Sequence, residues 1–228
     1  MLLLSLFISF DPKSSMTLFF NEMNWIIMLL TMVFMFETKW NKINRNNMIF
    51  IDMIKTVSKQ FEISMKNKKD GNKLIFTSIF LSILMMNTLG LIPFSFTPSS
   101  HITINLFISL PMWMGFYMYG WKKHQKEMFS HLVPSGTPTI LISFMVMIEL
   151  ISSLIRPLTL SIRLMANMVS GHLLLTLLGN SMNLKPLLIV SLMLIVQTTL
   201  YILETSVCFI QAYVFSMLLT LYSSESEY

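Results

Sequence analysis

Residues 137–179 read TPTILISFMVMIELISSLIRPLTLSIRLMANMVSGHLLLTLLG, and the fold turns on how this stretch is read. From Thr139 onward it is apolar enough for lipid, yet it carries Glu149, Arg156, Arg163 and His172. A helix rises about 1.5 Å per residue, so the stretch would measure roughly 60 Å, about twice the thickness of bilayer hydrocarbon. A second region of the same kind, 187–222, would measure roughly 54 Å and carries Gln197, Glu204 and Gln211. Regions this long must tilt steeply or bend. Pro157 and Gly171 offer bends in the first, whereas the second has no Pro or Gly after Pro186 and is expected to tilt as one element. Gly179, Asn180 and Ser181 are expected to make the reversal between them.

The rest of the chain is of the same character. Of its 228 residues, 54% are AVILMFWYC and 12% are charged, which excludes intrinsic disorder and an ordinary soluble domain. Three further regions have the length and composition to cross a bilayer: 16–36, 74–94 and 101–120. Residues 1–10 lack a basic leader and a small-residue cleavage pattern, so no signal peptide is expected. Between the first and second spans, Phe50, Ile54, Val57, Phe61 and Met65 recur at intervals of three and four, with Lys55, Lys59, Glu62 and Lys66 on the other face. The spacing predicts an amphipathic helix over 50–66, lying on the membrane surface. The expected architecture is an all-α membrane protein, a single membrane domain over 1–228 with five membrane-crossing helices and one amphipathic surface helix. The last two crossings, 137–179 and 187–222, form a long, steeply tilted hairpin.

The formal charge of +5 is a local surplus, because nine of the sixteen Lys and Arg residues fall between Lys39 and Lys73. Such a segment speaks about orientation rather than a nucleic-acid partner. Two spans separate it from Lys122, Lys123 and Lys126, so both basic segments fall on one side. The positive-inside rule makes that the inner side and places residues 1–15 and the turn SFTPSS opposite. Cys208 stands alone and pairs with nothing, and His101, His124 and His131 have no clustered ligands, so neither a metal nor a cofactor is expected.

The charges inside the last two helices carry the functional signal, since intramembrane ionisable groups are costly and usually line an ion path. Glu149, Arg156 and Arg163 are spaced by seven and Asn167 follows by four, so all four share a face. Gln197, Glu204 and Gln211 are again spaced by seven, and that stripe can face the first. By depth, His172 and Glu204 can meet as a proton-accepting pair toward the outer side, with Arg163 and Gln211 deeper and Glu149 toward the inner side. Arg163 cannot release its proton at accessible pH, so it suits holding a carboxylate charged and blocking a leak, whereas His172 and Glu204 can relay.

The run Leu160-Ser161-Ile162-Arg163-Leu164-Met165-Ala166-Asn167-Met168 with Gly171-His172 resembles the fifth helix of subunit a of the F-type ATP synthase. Glu204-Thr205 with Phe209-Ile210-Gln211-Ala212-Tyr213-Val214-Phe215 is similar to its sixth, and the likeness covers essentially the whole chain. The resemblance implies a non-catalytic stator subunit of the F0 sector, its last two helices lying along the rotor ring of c subunits. It implies that Arg163 faces the proton-carrying carboxylate of each c subunit, with Gln211 the polar residue opposite it. His172 and Glu204 become the pair of the half-channel from the intermembrane space, and Glu149 the acid of the matrix half-channel. The order of that pair, the basic inner loop and the 22 Met resemble the mitochondrial form. Implied with it are the mitochondrial inner membrane, an N-terminus toward the intermembrane space, a C-terminus in the matrix, and a peripheral stalk and other F0 subunits as neighbours. Arg156 and Gln197 are secondary candidates, Arg156 also suiting a headgroup or salt-bridge role. Two rival classes remain: a self-contained proton-coupled transporter, which the missing internal repeat disfavours, and a purely structural assembly subunit, which would tolerate loss of the intramembrane charges.

Overall fold

The computed structural model describes residues 10–11, 45–65, 70–92, 96–123, 125–133, 141–181 and 186–226. Within them the chain forms α1 (Arg45–Ser64), α2 (Asp70–Gly90), a 3-10 turn (Pro98–Ser100), α3 (Ile102–Lys123), α4 (Gln125–Leu132), α5 (Ile142–Ser181) and α6 (Leu187–Ser226). Four helical stretches among the described residues are long and apolar enough to cross a membrane: Lys73–Gly90, Ile102–Lys123, Ile142–Ser181 and Leu188–Ser224. The expected first span, 16–36, lies outside the described residues.

The two long regions are single helices of 40 residues each. Helix α5 runs through Pro157, which is buried, and through Gly171, so neither residue ends it. Proline deletes one rung of the ladder, but in lipid every other backbone group still has to be paired, and continuing the helix is the way to pair them. The same requirement corrects the expected reversal. Gly179, Asn180 and Ser181 belong to the last turn of α5 rather than to a turn between helices, and α6 begins where the carbonyl of Pro186 accepts from the amides of Ile189 and Val190.

Helix α2 packs against α6 and α3 against α5, while α5 and α6 also meet each other. The core joins Phe76, Phe80, Ile83 and Leu84 of α2 to Leu160 and Leu164 of α5 and to Ala212, Phe215 and Leu219 of α6. Each set recurs at three or four residues, which makes one stripe per helix. Lipid tails are as apolar as leucine, so these stripes gain from close packing rather than from leaving water.

Helix α1 shows the expected amphipathic stripe, with a different covering. Phe61 is fully buried among the α2 and α6 side chains and meets Phe80 edge-on at 6.4 Å. Ser64 Oγ donates to Thr220 Oγ1 of α6 at 3.1 Å, and Lys73 at the start of α2 pairs with Glu62 at 2.8 Å. The apolar face expected to meet the bilayer is occupied by protein at its C-terminal end, because aromatic side chains on α2 and α6 offer it a closer fit than mobile acyl chains. By contrast, the first half of α6 is bare: Leu188, Leu192, Ile195 and Ile202 are all exposed.

Candidate functional site

The polar residues of the long hairpin collect along the α5–α6 seam. At one end Gly171 lies so close to Glu204 that a methyl group built on it would overlap the carboxylate. One turn along, Cys208 Sγ–H donates to Met168 Sδ at 3.6 Å, and both side chains are buried with Leu91. Beside them Asn167 Nδ2 donates to Gln211 Oε1 at 2.7 Å. At the other end the Arg156 guanidinium lies over the Tyr222 ring, 5.4 Å from its centroid, and 3.9 Å from Glu149 Oε1. These pairings keep one antiparallel register from Gly171 to Arg156, so the seam carries an acid near each end and an amide pair between them.

The expected facing of the two stripes is therefore realised at Asn167 and Gln211. Glu149 and Arg156 share their face as the seven-residue spacing requires, and both remain partly exposed. Arg163 is exposed on the same face, and among the described residues no carboxylate forms an ion pair with it. Gln197 is half-buried, and its side chain makes no hydrogen bond with a described residue.

The pairing of His172 with Glu204 differs in detail from expectation. Glu204 is 7% exposed and rests on Gly171, while His172 turns away and meets the Phe10 ring at 5.4 Å. His172 Nδ1 and Glu204 Oε2 are both buried and without hydrogen-bond partners among the described residues. Neighbouring residues on a helix diverge by about 100°, so when Gly171 points at α6 its neighbour His172 cannot point there as squarely. The two groups stand at one level without a direct bond, and each retains an atom able to take a water or a proton.

Sequence reasoning missed three participants. Gly171, expected as a bend, is instead the socket for a carboxylate, a role signalled by a glycine beside a histidine in a helix with no break. Phe10 and His101 were assigned no role, yet the His101 Nε2 to Phe10 carbonyl distance is 3.1 Å. The buried polar side chains Asn87, Thr97, Ser99, Asn105 and Ser109 also went unread, although the i, i+4 spacing of Asn105 and Ser109 within a span was visible.

The amide pair can be tested without reference to activity. In detergent-solubilised protein, Asn167→Leu or Gln211→Leu should each lower unfolding stability by about 1 kcal/mol, because one half-buried amide loses its partner. The double variant should cost about as much as one single, since the first change already removes the bond. Fully additive losses would show that the two amides act independently.

Comparison with known proteins adds an independent line. The family described as "ATP synthase A chain" matches residues 22–224. The chain is 45% identical over 223 residues to a protein named ATP synthase subunit a from Aedes aegypti, covering 97% of this chain and 98% of that one. It is 47% identical over 225 residues to the protein of the same name from Locusta migratoria, and 44% identical over 222 residues to that of Drosophila yakuba. Both cover 97% of this chain and 98% of theirs.

Proposed function

Because the chain belongs to the ATP synthase subunit a family, we propose an assignment of its seam residues to the two proton routes of that machine. The protein is a non-catalytic, proton-channel stator subunit of the F0 sector and a multi-pass protein of the mitochondrial inner membrane. Its partners are the c-subunit ring, other F0 subunits, lipid and the proton.

The observation that carries the residue assignment is the position of Arg163. A guanidinium that cannot be deprotonated stands exposed part-way along a 40-residue apolar helix, with no carboxylate of the described chain paired to it. In lipid such a charge is costly without a counter-charge, and a carboxylate carried by another chain would supply one. The rotor's proton-carrying carboxylate fits that place. It arrives ionised, is held beside Arg163, and can move on into lipid only after taking a proton.

The protons are then supplied and removed at opposite ends of the seam. His172 and Glu204 receive them from the intermembrane space, and Glu149 delivers them to the matrix, with Arg156 beside it. At 1.5 Å per residue Glu149 and Gly171 are separated by about 33 Å along α5, close to the thickness of the hydrocarbon layer. Arg163 stands between these ends, with the Asn167–Gln211 pair next to it, and a proton can pass from one route to the other only by riding the rotor. Moving one charge through 100 mV releases about 2.3 kcal/mol, so each ATP requires several such passages. In this assignment 16–36 is a fifth crossing, the N-terminus faces the intermembrane space and the C-terminus the matrix, and both long helices lie obliquely along the ring.

Cross-linking tests the placement. Ala166 is exposed one turn from Arg163, whereas Leu164 is buried against α2 and α6. In the assembled complex, a cysteine at Ala166 should form a disulfide with one placed beside the rotor carboxylate, and a cysteine at Leu164 should not. Cross-linking from Leu164 and none from Ala166 would put the ring on the wrong face and defeat the assignment.

A further inference from the structure

Resting on the reading of His172 as part of the outer proton route, we infer that Phe10 is a positioning residue for that imidazole, and that His101 holds Phe10 in place. His101, at the head of α3, donates from Nε2 to the Phe10 carbonyl at 3.1 Å. The Phe10 ring then meets the His172 ring edge-on, with centroids 5.4 Å apart and planes at 63°. Phe96 lies against His101, 5.4 Å away, so the clasp is itself packed.

The geometry gives Phe10 a specific task. His172 Nδ1 is buried without a hydrogen-bond partner among the described residues, so that nitrogen does not set how far the ring turns about its last side-chain bond. The aromatic edge supplies the missing constraint. A carbonyl only accepts, so the clasp requires a proton on His101 Nε2. Both the corresponding neutral tautomer and the imidazolium satisfy this, and the clasp survives a change in the charge of His101. Titratable groups near the level of His172 on the surrounding elements include Glu204, Cys208 and Tyr201 on α6, His101 at the head of α3, and Asp11 next to Phe10. With its ring angle held, His172 keeps Nδ1 available on the level of the Glu204 carboxylate.

The test uses the assembled complex in vesicles, with ATP synthesis driven by an imposed proton gradient and followed as the outer pH is varied. Phe10→Ala should slow synthesis roughly tenfold, short of the roughly hundredfold that a 1 Å misplacement of a reacting group can cost, and should displace the outer-pH profile. Phe10→Tyr should restore both. His101→Ala should reproduce the effect of Phe10→Ala, and the double variant should be no slower than Phe10→Ala alone. An unchanged Phe10→Ala profile overturns the inference, as does a loss uniform across pH that follows complex abundance, or losses that multiply in the double variant. His172→Ala separates this inference from the reading beneath it. Full synthesis in that variant removes His172 from the path, whereas lost synthesis there with normal Phe10→Ala and His101→Ala removes only the clasp.

Discussion

Replacing Arg163 with alanine is expected to abolish proton-driven ATP synthesis while leaving the assembled membrane sector permeable to protons. The two halves of this result have separate causes. Synthesis fails because the rotor carboxylate loses the fixed cation that keeps it ionised at the seam, and loss of such a preorganised charge typically costs about a hundredfold or more. Permeability persists because the outer group, His172 and Glu204, and the inner group, Glu149, are untouched. The barrier between them has been removed rather than the routes themselves. Arg163→Lys should fail nearly as badly, since an ammonium on a flexible stem can lose its proton when desolvated and cannot present a planar fork. The measurements are ATP synthesis under an imposed gradient, and proton flux through vesicles holding the membrane sector without its catalytic head. Coupled synthesis near normal in Arg163→Ala would leave the assignment with no separator between its two routes.

The second large effect is expected where α5 and α6 touch most closely. Glu204→Gln keeps the size of the side chain and removes its capacity to carry a proton. Coupled synthesis should fall by about a hundredfold, the usual scale for a positioned proton-transfer group. Gly171→Ala reaches the same carboxylate from the opposite wall. The added methyl would occupy space now filled by Glu204 Oε1, Cδ and Cγ, so either the carboxylate swings away or the helices separate. Synthesis should fall in this variant as well, although no ionisable group has been changed. Combining Gly171→Ala with Glu204→Asp, which shortens the acid by one methylene, should recover part of the rate. If the double variant were no better than Gly171→Ala, the loss would have to come from something other than this overlap. Normal synthesis in Glu204→Gln would remove the acid from the path altogether.

Much of this site was legible as spacing. The seven-residue recurrence of Glu149, Arg156 and Arg163, and of Gln197, Glu204 and Gln211, is a property of one helix at a time, and the period of an α-helix fixes which residues share a face. That is why a facing of the two polar stripes could be anticipated, although the residue expected opposite Gln211 is Arg163 and its hydrogen-bond partner is Asn167. Contacts set by how two helices cross were not legible. Whether Gly171 or His172 meets Glu204 depends on a rotation of α5 smaller than one residue's turn, and phase counting along a straight helix does not resolve it. The covering of α1 was hidden for a related reason. Phe61 announces an apolar stripe, but lipid and a neighbouring helix ask for the same side chains. The reversal after α5 misled because Gly179, Asn180 and Ser181 are turn formers in water. Next to lipid their backbone groups do better inside a helix.

The buttressing of the long hairpin has a mechanical consequence. On the proposed assignment, a ring turning past the exposed face of α5 would exert drag on it, and a stator is useful only insofar as it does not follow. Helices α2 and α3 lie behind the pair like a stiffening rib, and α1 is pinned across the lower part of α6 through Phe61 and the hydroxyl contact of Ser64 with Thr220. Under that assignment, torque entering at Arg163 would be spread over several braced columns. The stretch of α6 before Glu204, exposed at Leu188, Leu192, Ile195 and Ile202, is braced least among the described residues, and under the same assignment a neighbouring protein would do most to steady it there.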